Sequence, residues 1–394
     1  MAEAYIVAAT RTAGGRRGGR LSGWHATDLA AFVLNDLVER IDADPKLIDD
    51  VIMGCVMQVG EQSNNIARNA VLASRLPESV PGISVDRQCG SSQQALHFAA
   101  QAVMSGTQDV VIAAGIESMT RTPMGSNLFL AQKANMAEHY MGQNIRKRYP
   151  DVPEFSQFMG AEMMANKYGL SREDLHKFAL ESHTRAIAAT EAGRFEKEIL
   201  PVPVNLAEGG PMDEMHRIDE GIRFDATLEG IASVRPLQDG GYISASVASQ
   251  ICDGASGVMV VSEKGLKALG VEPLARIHHM SVIGHDPVIM LEAPLPATQA
   301  ALRKTGMHIN DIDLFKVNEA FASLPLAWLQ ATDADPQRMN VNGGAIALGH
   351  PLGASGTKLM TTLLHALHDR GGRYGLQTMC EGGGMANVTI IERL

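Results

Sequence analysis

One pattern occurs twice in this chain, and it limits the fold more than any overall composition does. Ile48-Asp49-Asp50-Val51-Ile52-Met53-Gly54 resembles Ile309-Asn310-Asp311-Ile312-Asp313-Leu314-Phe315-Lys316-Val317-Asn318 in its acidic turn and apolar run. The first copy leads on to Cys89, a helical stripe and an apolar strand ending in Gly115. The second leads to His350, a helix from Gly353 to His368 and a strand ending in Cys380. Two βαβ halves grown from one ancestral unit are the economical explanation, with chance similarity of generic βα units as the alternative. If the halves pair, Cys89 and His350 stand at equivalent strand-to-helix turns and face each other across the junction.

The remaining periodicity fits such halves. Tyr5 to Ala9, Val51 to Gly54, Val110 to Ala114 and Val258 to Val261 are short apolar runs without alternation. Helical patterns separate them: Ala26 to Ile41 with Thr27 or Asp28 near its start, Asn64 to Ala73, and the stripe Ala95, Phe98, Ala99, Ala102, Val103. Unalternating runs between helices predict a parallel sheet buried on both faces. From Glu117 to Ser249 this texture lapses and methionines multiply, among them Met119, Met124, Met136, Met141, Met159, Met163 and Met164. Ser171-Arg172-Glu173-Asp174 begins a long helix in capping-box style, and Gly193 stops it. This stretch reads as an insertion draped over the core to shape a binding site, or as ordinary packing by methionines.

Charge and cysteine usage exclude several classes. A net charge of -10 argues against a general nucleic-acid binder, which needs a basic surface. Cys55, Cys89, Cys252 and Cys380 stand far apart, so neither a zinc site nor a disulfide scaffold is expected, and a reducing compartment, the cytoplasm, fits best. No apolar run reaches the roughly 20 residues that cross a bilayer.

Four stretches carry chemistry. Cys89-Gly90-Ser91-Ser92 places a thiol before a helix that Ser91 or Ser92 can cap and Gly106 can end. Unpaired N–H groups there favour a reactive thiolate, and a buried structural cysteine is the competing reading. Asn340 to Gly356 is a glycine-dense loop around His350. Met379-Cys380-Glu381-Gly382-Gly383-Gly384 ends a strand in a cysteine followed by N–H groups of the kind that build an oxyanion hole. Val317-Asn318-Glu319-Ala320-Phe321 sets an amide and a carboxylate at the end of another strand.

In order and over essentially the whole length, these stretches resemble the four catalytic loops of the thiolases, acyl-CoA acetyltransferases. The resemblance implies an α/β fold of five αβαβα layers, built from two duplicated βαβαβαββ halves with an inserted loop domain. Its expected divisions are 1–116 with 250–268 for the first half, 117–249 for the loop domain, and 269–394 for the second half. It implies Cys89 as nucleophile, His350 as its base, Cys380 as the second acid and base, and Asn318 as holder of a water. One oxyanion hole would comprise His350 and that water, the other the backbone N–H groups of Cys89 and Gly382. No permanent cofactor or metal is implied, and coenzyme A is a co-substrate beside a 3-oxoacyl-CoA. A homodimer or homotetramer is expected, with neither a nucleic-acid nor a membrane partner.

For CoA, the resemblance points to Ala248 and Ser249 in Ala248-Ser249-Gln250-Ile251-Cys252, and to Arg223, for which an unbound surface arginine is the other reading. Val247 and Cys252 depart from the asparagines common in that turn. Arg146, Lys147 and Arg148 could meet phosphate or form a solvated helix end. The expected acyl pocket comprises Phe158, Met159 and Met290. Biosynthetic acetoacetyl-CoA thiolases carry a histidine where Phe158 stands, so a degradative enzyme for longer or bulkier chains is expected, sterol-derived chains among them. The rivals are a biosynthetic thiolase, a ketosynthase-type condensing enzyme, which the second thiol at Cys380 disfavours, and a thiolase-like protein that binds acyl-CoA without turnover.

Overall fold

The computed structural model describes residues 2–136 and 139–394. The first half runs β1 (Tyr5–Thr12), α1 (Ala26–Glu39), β2 (Asp50–Gly54), α2 (Ile66–Ala73), β3 (Gly82–Val85), α3 (Ser91–Met104) and β4 (Val110–Ser118). After the insertion, which carries α4 (Gln157–Lys167) and α5 (Arg172–Glu191), comes β5 (Cys252–Val261). The second half has β6 (Ala275–Gly284), α6 (Pro294–Thr305), β7 (Leu314–Val317), α7 (Ser323–Thr332), α8 (Ser355–Arg370), β8 (Tyr374–Glu381) and β9 (Met385–Arg393).

The strand order bears out the repeat. One half-sheet runs β3-β2-β4-β5-β1 and the other β7-β8-β9-β6. A parallel bridge from Phe315 to Met339 stands where β3 stands in the first half. In each half the strands next to the core helix are parallel, then the order turns antiparallel. The expected all-parallel sheet is therefore corrected to a mixed one: hairpin-like returns at β8–β9 and the long insertion before β5 need no crossover helix. The halves join through Tyr5 to Arg276 and Ile6 to Ala275.

Alternation along the strands sorts side chains into layers. On β4, Val110, Ile112 and Ala114 pack with α1 and α2 residues such as Leu29, Leu34 and Val71. Val111 and Ala113 on its other face pack with Ala95, Leu96 and Ala99 of α3 and with Met360 and Leu364 of α8. Beyond the second half-sheet, Phe315, Leu376 and Val388 meet Leu295 of α6 and Trp328 of α7. The layers are thus α, β, α, β, α, with α3 and α8 buried in the middle. Burying an aliphatic side chain in these layers contributes about 1.5–3 kcal/mol, so apolar runs without alternation are required wherever both faces are covered.

Several helix ends differ from expectation. α1 is capped by the side chain of His25, which accepts from the Thr27 amide, and stops at Glu39. α2 begins at Ile66 behind Asn65. α8 begins at Ser355, after a short turn over Leu352–Ala354, and runs to Arg370. Neither Ser91 nor Ser92 caps α3: Gly90 holds the cap position, the Ser91 hydroxyl turns back to the Gln88 carbonyl at 2.6 Å, and Ser92 Oγ accepts from the Thr357 amide at 3.0 Å. Phe98, counted in the buried stripe, is 40% exposed, because Gln93, Gln94 and His97 take the inward face of α3 instead. α5 carries the reciprocal Ser171–Asp174 capping box. No described helix is long and apolar enough to cross a membrane.

Candidate active site

Cys89 sits on the turn between β3 and α3. Gln88 is held at φ 49°, a left-handed conformation costly for a side chain of its kind. Its amide donates to Asp86 Oδ1 at 2.7 Å, and this fixes the turn that presents the thiol. Met57, Met119 and Leu352 surround the sulfur's approach. The expected lowering of the thiol's proton affinity by backbone N–H groups is present but outweighed. Burial, with the Glu381 carboxyl beside it, pushes the Cys89 thiol up to about 12, although the N–H groups of Cys89 and Gly382 both point at the sulfur and work the other way. Desolvating a charge outweighs a few oriented amides.

Cys380 is the penultimate residue of β8, buried, and its proton affinity is pushed well up by burial and by the neighbouring Cys89. The two thiols are therefore in each other's electrostatic reach. Gly382 follows, so close to Gln88 that a Cβ there would stand 2.9 Å from Gln88 Oε1.

His350 and Asn318 come from the other half and are both buried. Asn318 Nδ2 lies 3.4 Å from His350 Nε2. His350 Nδ1 meets Ser355 Oγ, and that hydroxyl donates to the Pro351 carbonyl at 2.8 Å. A hydroxyl has a single proton to give, so His350 must donate from Nδ1, leaving a lone pair on Nε2. Burial, aided by the Lys358 ammonium, pushes His350 down to about 3, which keeps the imidazole neutral. Asn318 Oδ1 has no partner among the described residues, an unmet acceptor fit for a water.

Two buried carboxylates hold these loops. Glu319 accepts from Asn340 Nδ2 at 2.8 Å, Ser182 Oγ at 2.6 Å and the Ile346 amide at 3.1 Å, tying the Asn318 turn to the histidine loop and to α5. Glu117 accepts from the amides of Val56, Met57 and Gly353 and from Gln62 Nε2. Sequence reasoning singled out neither role, nor that of Ser355. Their partners lie more than a hundred residues away for Ser182–Glu319 and Gly353–Glu117 (separations of 137 and 236), so no local pattern exposes them.

A cleft of about 790 Å³ opens onto His350. Arg223, Ala248, Ser249 and Phe158 line it, together with Met119, Met124, Arg16 and Arg17. The Ser249 amide donates to the Ala320 carbonyl at 2.9 Å and Ala248 bridges to Phe321, so the insertion's turn docks on the Asn318 loop. Phe158 packs edge-on against Phe321, ring centres 5.6 Å apart. Of the expected acyl-pocket residues Phe158 lines this cleft, while Met159 and Met290 do not, and neither do Cys89 and Cys380. Met159 is exposed on the next position of α4, turned toward Gln238, and Met290 is buried beneath Gly160. The helix Gln143–Arg148 also stays outside the cleft lining, with Arg148 over the Tyr149 ring.

Comparisons with known proteins identify the family. The family description "Thiolase, N-terminal domain" matches residues 4–264 and "Thiolase, C-terminal domain" residues 271–393. The chain is similar to the steroid 3-ketoacyl-CoA thiolase FadA6 of Mycobacterium tuberculosis, 52% identical, covering 100% of this chain and 95% of that protein. It is 41% identical to a 3-ketoacyl-CoA thiolase of Yersinia pestis, with 100% of both chains covered. Among solved structures it superposes on human mitochondrial 3-ketoacyl-CoA thiolase at TM-score 0.88 and 35% identity, covering 100% and 99% of the two chains. It superposes on the Bacillus anthracis acetyl-CoA acetyltransferase at TM-score 0.90 and 34% identity, with the same coverage. Two matched domains in order and full-length likeness make the chain a member of the thiolase family.

Proposed function

We propose that the protein is a degradative 3-ketoacyl-CoA thiolase, cleaving a 3-oxoacyl-CoA with CoA into acetyl-CoA and an acyl-CoA shortened by two carbons. What supports this is the pair of thiols, Cys89 and Cys380, with Cys380 sensing the charge of Cys89 and the amides of Cys89 and Gly382 turned to the Cys89 sulfur. In this reading His350 Nε2, free of hydrogen, takes the Cys89 proton as the sulfur attacks the 3-keto carbon. The bond between C2 and C3 breaks, its electron pair passes to the acetyl-CoA enolate, and Cys380 protonates that carbon. The Cys380 thiolate then takes the proton of an incoming CoA thiol, whose sulfur displaces Cys89 from the acyl group, and the departing Cys89 thiolate recovers its proton from His350. Neutral thiol and neutral imidazole suit this sequence, because no charge stands unpaired before substrate arrives.

Charge on the first oxygen falls to the amides of Cys89 and Gly382, and enolate charge to His350 and a water at Asn318. Arg223, Ala248 and Ser249 would hold CoA as a co-substrate, with no permanent cofactor, and residues 117–249 would form the loop domain that shapes the cleft between the halves 1–116 with 250–268 and 269–394. Phe158 on Phe321 makes an apolar wall where a short acyl chain would want a polar contact, which supports a longer or bulkier acyl group, sterol-derived chains included. The likeness to a steroid thiolase supports the same reading. The outer edge of β3, with Ile83 52% exposed, offers a strand edge for a homodimer or homotetramer, which we place in the cytoplasm.

Relative thiolysis rates across 3-oxoacyl-CoAs graded in length and bulk test the proposal. Faster cleavage of long or ring-bearing substrates than of acetoacetyl-CoA is expected. Acetoacetyl-CoA cleaved far better would instead make this a biosynthetic thiolase.

A further inference from the structure

The two halves place a glutamate at the same point with opposite surroundings. Glu117 near the end of β4 reaches the turn before α8, where each of its carboxyl oxygens takes two N–H donors. Glu381 at the end of β8 reaches the turn before α3, against Gly90, where any Cβ would overlap its carboxyl. Glu381 is fully buried, and neither of its oxygens has a well-aligned hydrogen-bond partner among the described residues, the Asn387 amide alone lying toward it. Arg87 faces it without pairing: Nη1 turns to Met385 Sδ at 3.4 Å, and Nε is also without a partner among the described residues. The other ionisable groups around it are Cys89 in the α3 turn, Cys380 on its own strand, and Asp86, which acts on Cys89. An orphaned carboxylate in such a place is costly, whereas a neutral carboxylic acid is tolerated.

We propose that Glu381 is a positioning residue that sets the charge of this site: as a neutral acid it leaves Cys89 and Cys380 able to become thiolates in turn, and on losing its proton it holds both as thiols. The inference rests on the reading that these two thiols react. Burial pushes the Glu381 carboxyl well above the usual carboxylate range, with Arg87 opposing, and Glu381 in turn raises the proton affinity of both cysteines. The glutamate thus acts through the cysteines and needs no contact with substrate. Glu117, saturated by donors, is the internal control for a carboxyl with a purely structural duty.

The test compares full-length wild type, Glu381→Gln and Glu381→Asp by the rate at which iodoacetamide alkylates Cys89, read by peptide mass spectrometry across about pH 6–10. The amide cannot ionise, so Glu381→Gln is expected to alkylate about tenfold faster than wild type at the alkaline end, the effect of removing one nearby like charge. Glu381→Asp is expected to keep the wild-type profile. If Glu381→Gln does not reach the wild-type circular dichroism spectrum, Glu381→Val takes its place in the same comparison. Superimposable profiles for wild type and the uncharged variant, or slower alkylation in the variant, would overturn the proposal. The readout needs no acyl-CoA, so a protein that failed the substrate panel would still answer this question separately.

Discussion

His350 donates from Nδ1 to the hydroxyl of Ser355, and that hydroxyl donates in turn to the Pro351 carbonyl at 2.8 Å. That chain fixes the tautomer: Nε2 carries a lone pair and faces Asn318 Nδ2 at 3.4 Å. A base prepared in this way needs no proton shuffle before it can act on Cys89. Ser355→Ala removes the acceptor that selects the tautomer, so kcat is expected to fall by about 10²-fold while KM for CoA stays nearly constant. Steady-state kinetics check this, and a change confined to KM would contradict it.

Glu319 and Gly344 form a second dependent pair. A Cβ on Gly344 would overlap the Glu319 carboxyl, which joins the Asn318 turn to Asn340, Ser182 and Ile346. Gly344→Ala is expected to cost about 1–3 kcal/mol in denaturant unfolding, the range for overpacking a filled core. Activity is expected to fall further than stability alone explains, because the histidine loop shifts with it.

A buried ion cluster supports the same loop from behind. Arg11 pairs with Glu198 at 2.6 Å and with Asp219 at 2.9 Å, while Lys358 reaches Asp219 at 3.4 Å and the Leu348 carbonyl at 2.6 Å. Burial alone would raise Asp219, but the Arg11 and Lys358 charges bring it down to about 2. Asp219→Ala takes the carboxylate from buried Lys358 and one of two from Arg11, and is expected to cost about 3–5 kcal/mol. Lys177→Ala, which breaks an exposed pair with Glu173, is expected to leave the melting temperature unchanged.

His97 carries a pH prediction with a definite sign. It is buried between α3 and β9, its Nε2 lies 2.8 Å from Thr389 Oγ1, and burial pushes it down to about 3. The unfolded chain would bind that proton at about pH 6.5. Its contribution is therefore fully present above about pH 6.5 and is lost as pH falls toward the folded value. Unfolding followed from neutral pH to about pH 5 is expected to show a shallower loss of stability in His97→Gln than in wild type. An equal or steeper loss would contradict it.

What could be read in the sequence was what lies close together along it. The repeat, the insertion, the ends of α5 and the motifs around Cys89, Asn318, His350 and Cys380 are all carried by neighbouring residues. Residues brought in from afar stayed hidden. Glu117 finds Gly353 and Glu319 finds Ser182 through the fold alone, and Ser355 stood within the glycine-dense loop without any sign that it would meet His350. Phe98 misled because helical spacing cannot tell an apolar face from one whose buried partners are polar, here Asn387 and Thr389. Met290 sits at φ 51°, beneath Gly160 of α4, a placement that no local pattern announces. The acidity of Cys89 misled for an energetic reason: the helix terminus was visible in sequence, but burial and the carboxyl of Glu381 were not.

The central claim is that Cys89 carries the acyl group. The most direct measurement is intact-protein and peptide mass spectrometry after brief mixing with a 3-oxoacyl-CoA in the absence of free CoA. A mass increase equal to the shortened acyl group is expected, mapped to Cys89, lost on adding CoA and absent in Cys89→Ala. An unmodified Cys89, with 3-oxoacyl-CoA left intact after CoA is added, would contradict it and leave a protein that binds acyl-CoA without turning it over.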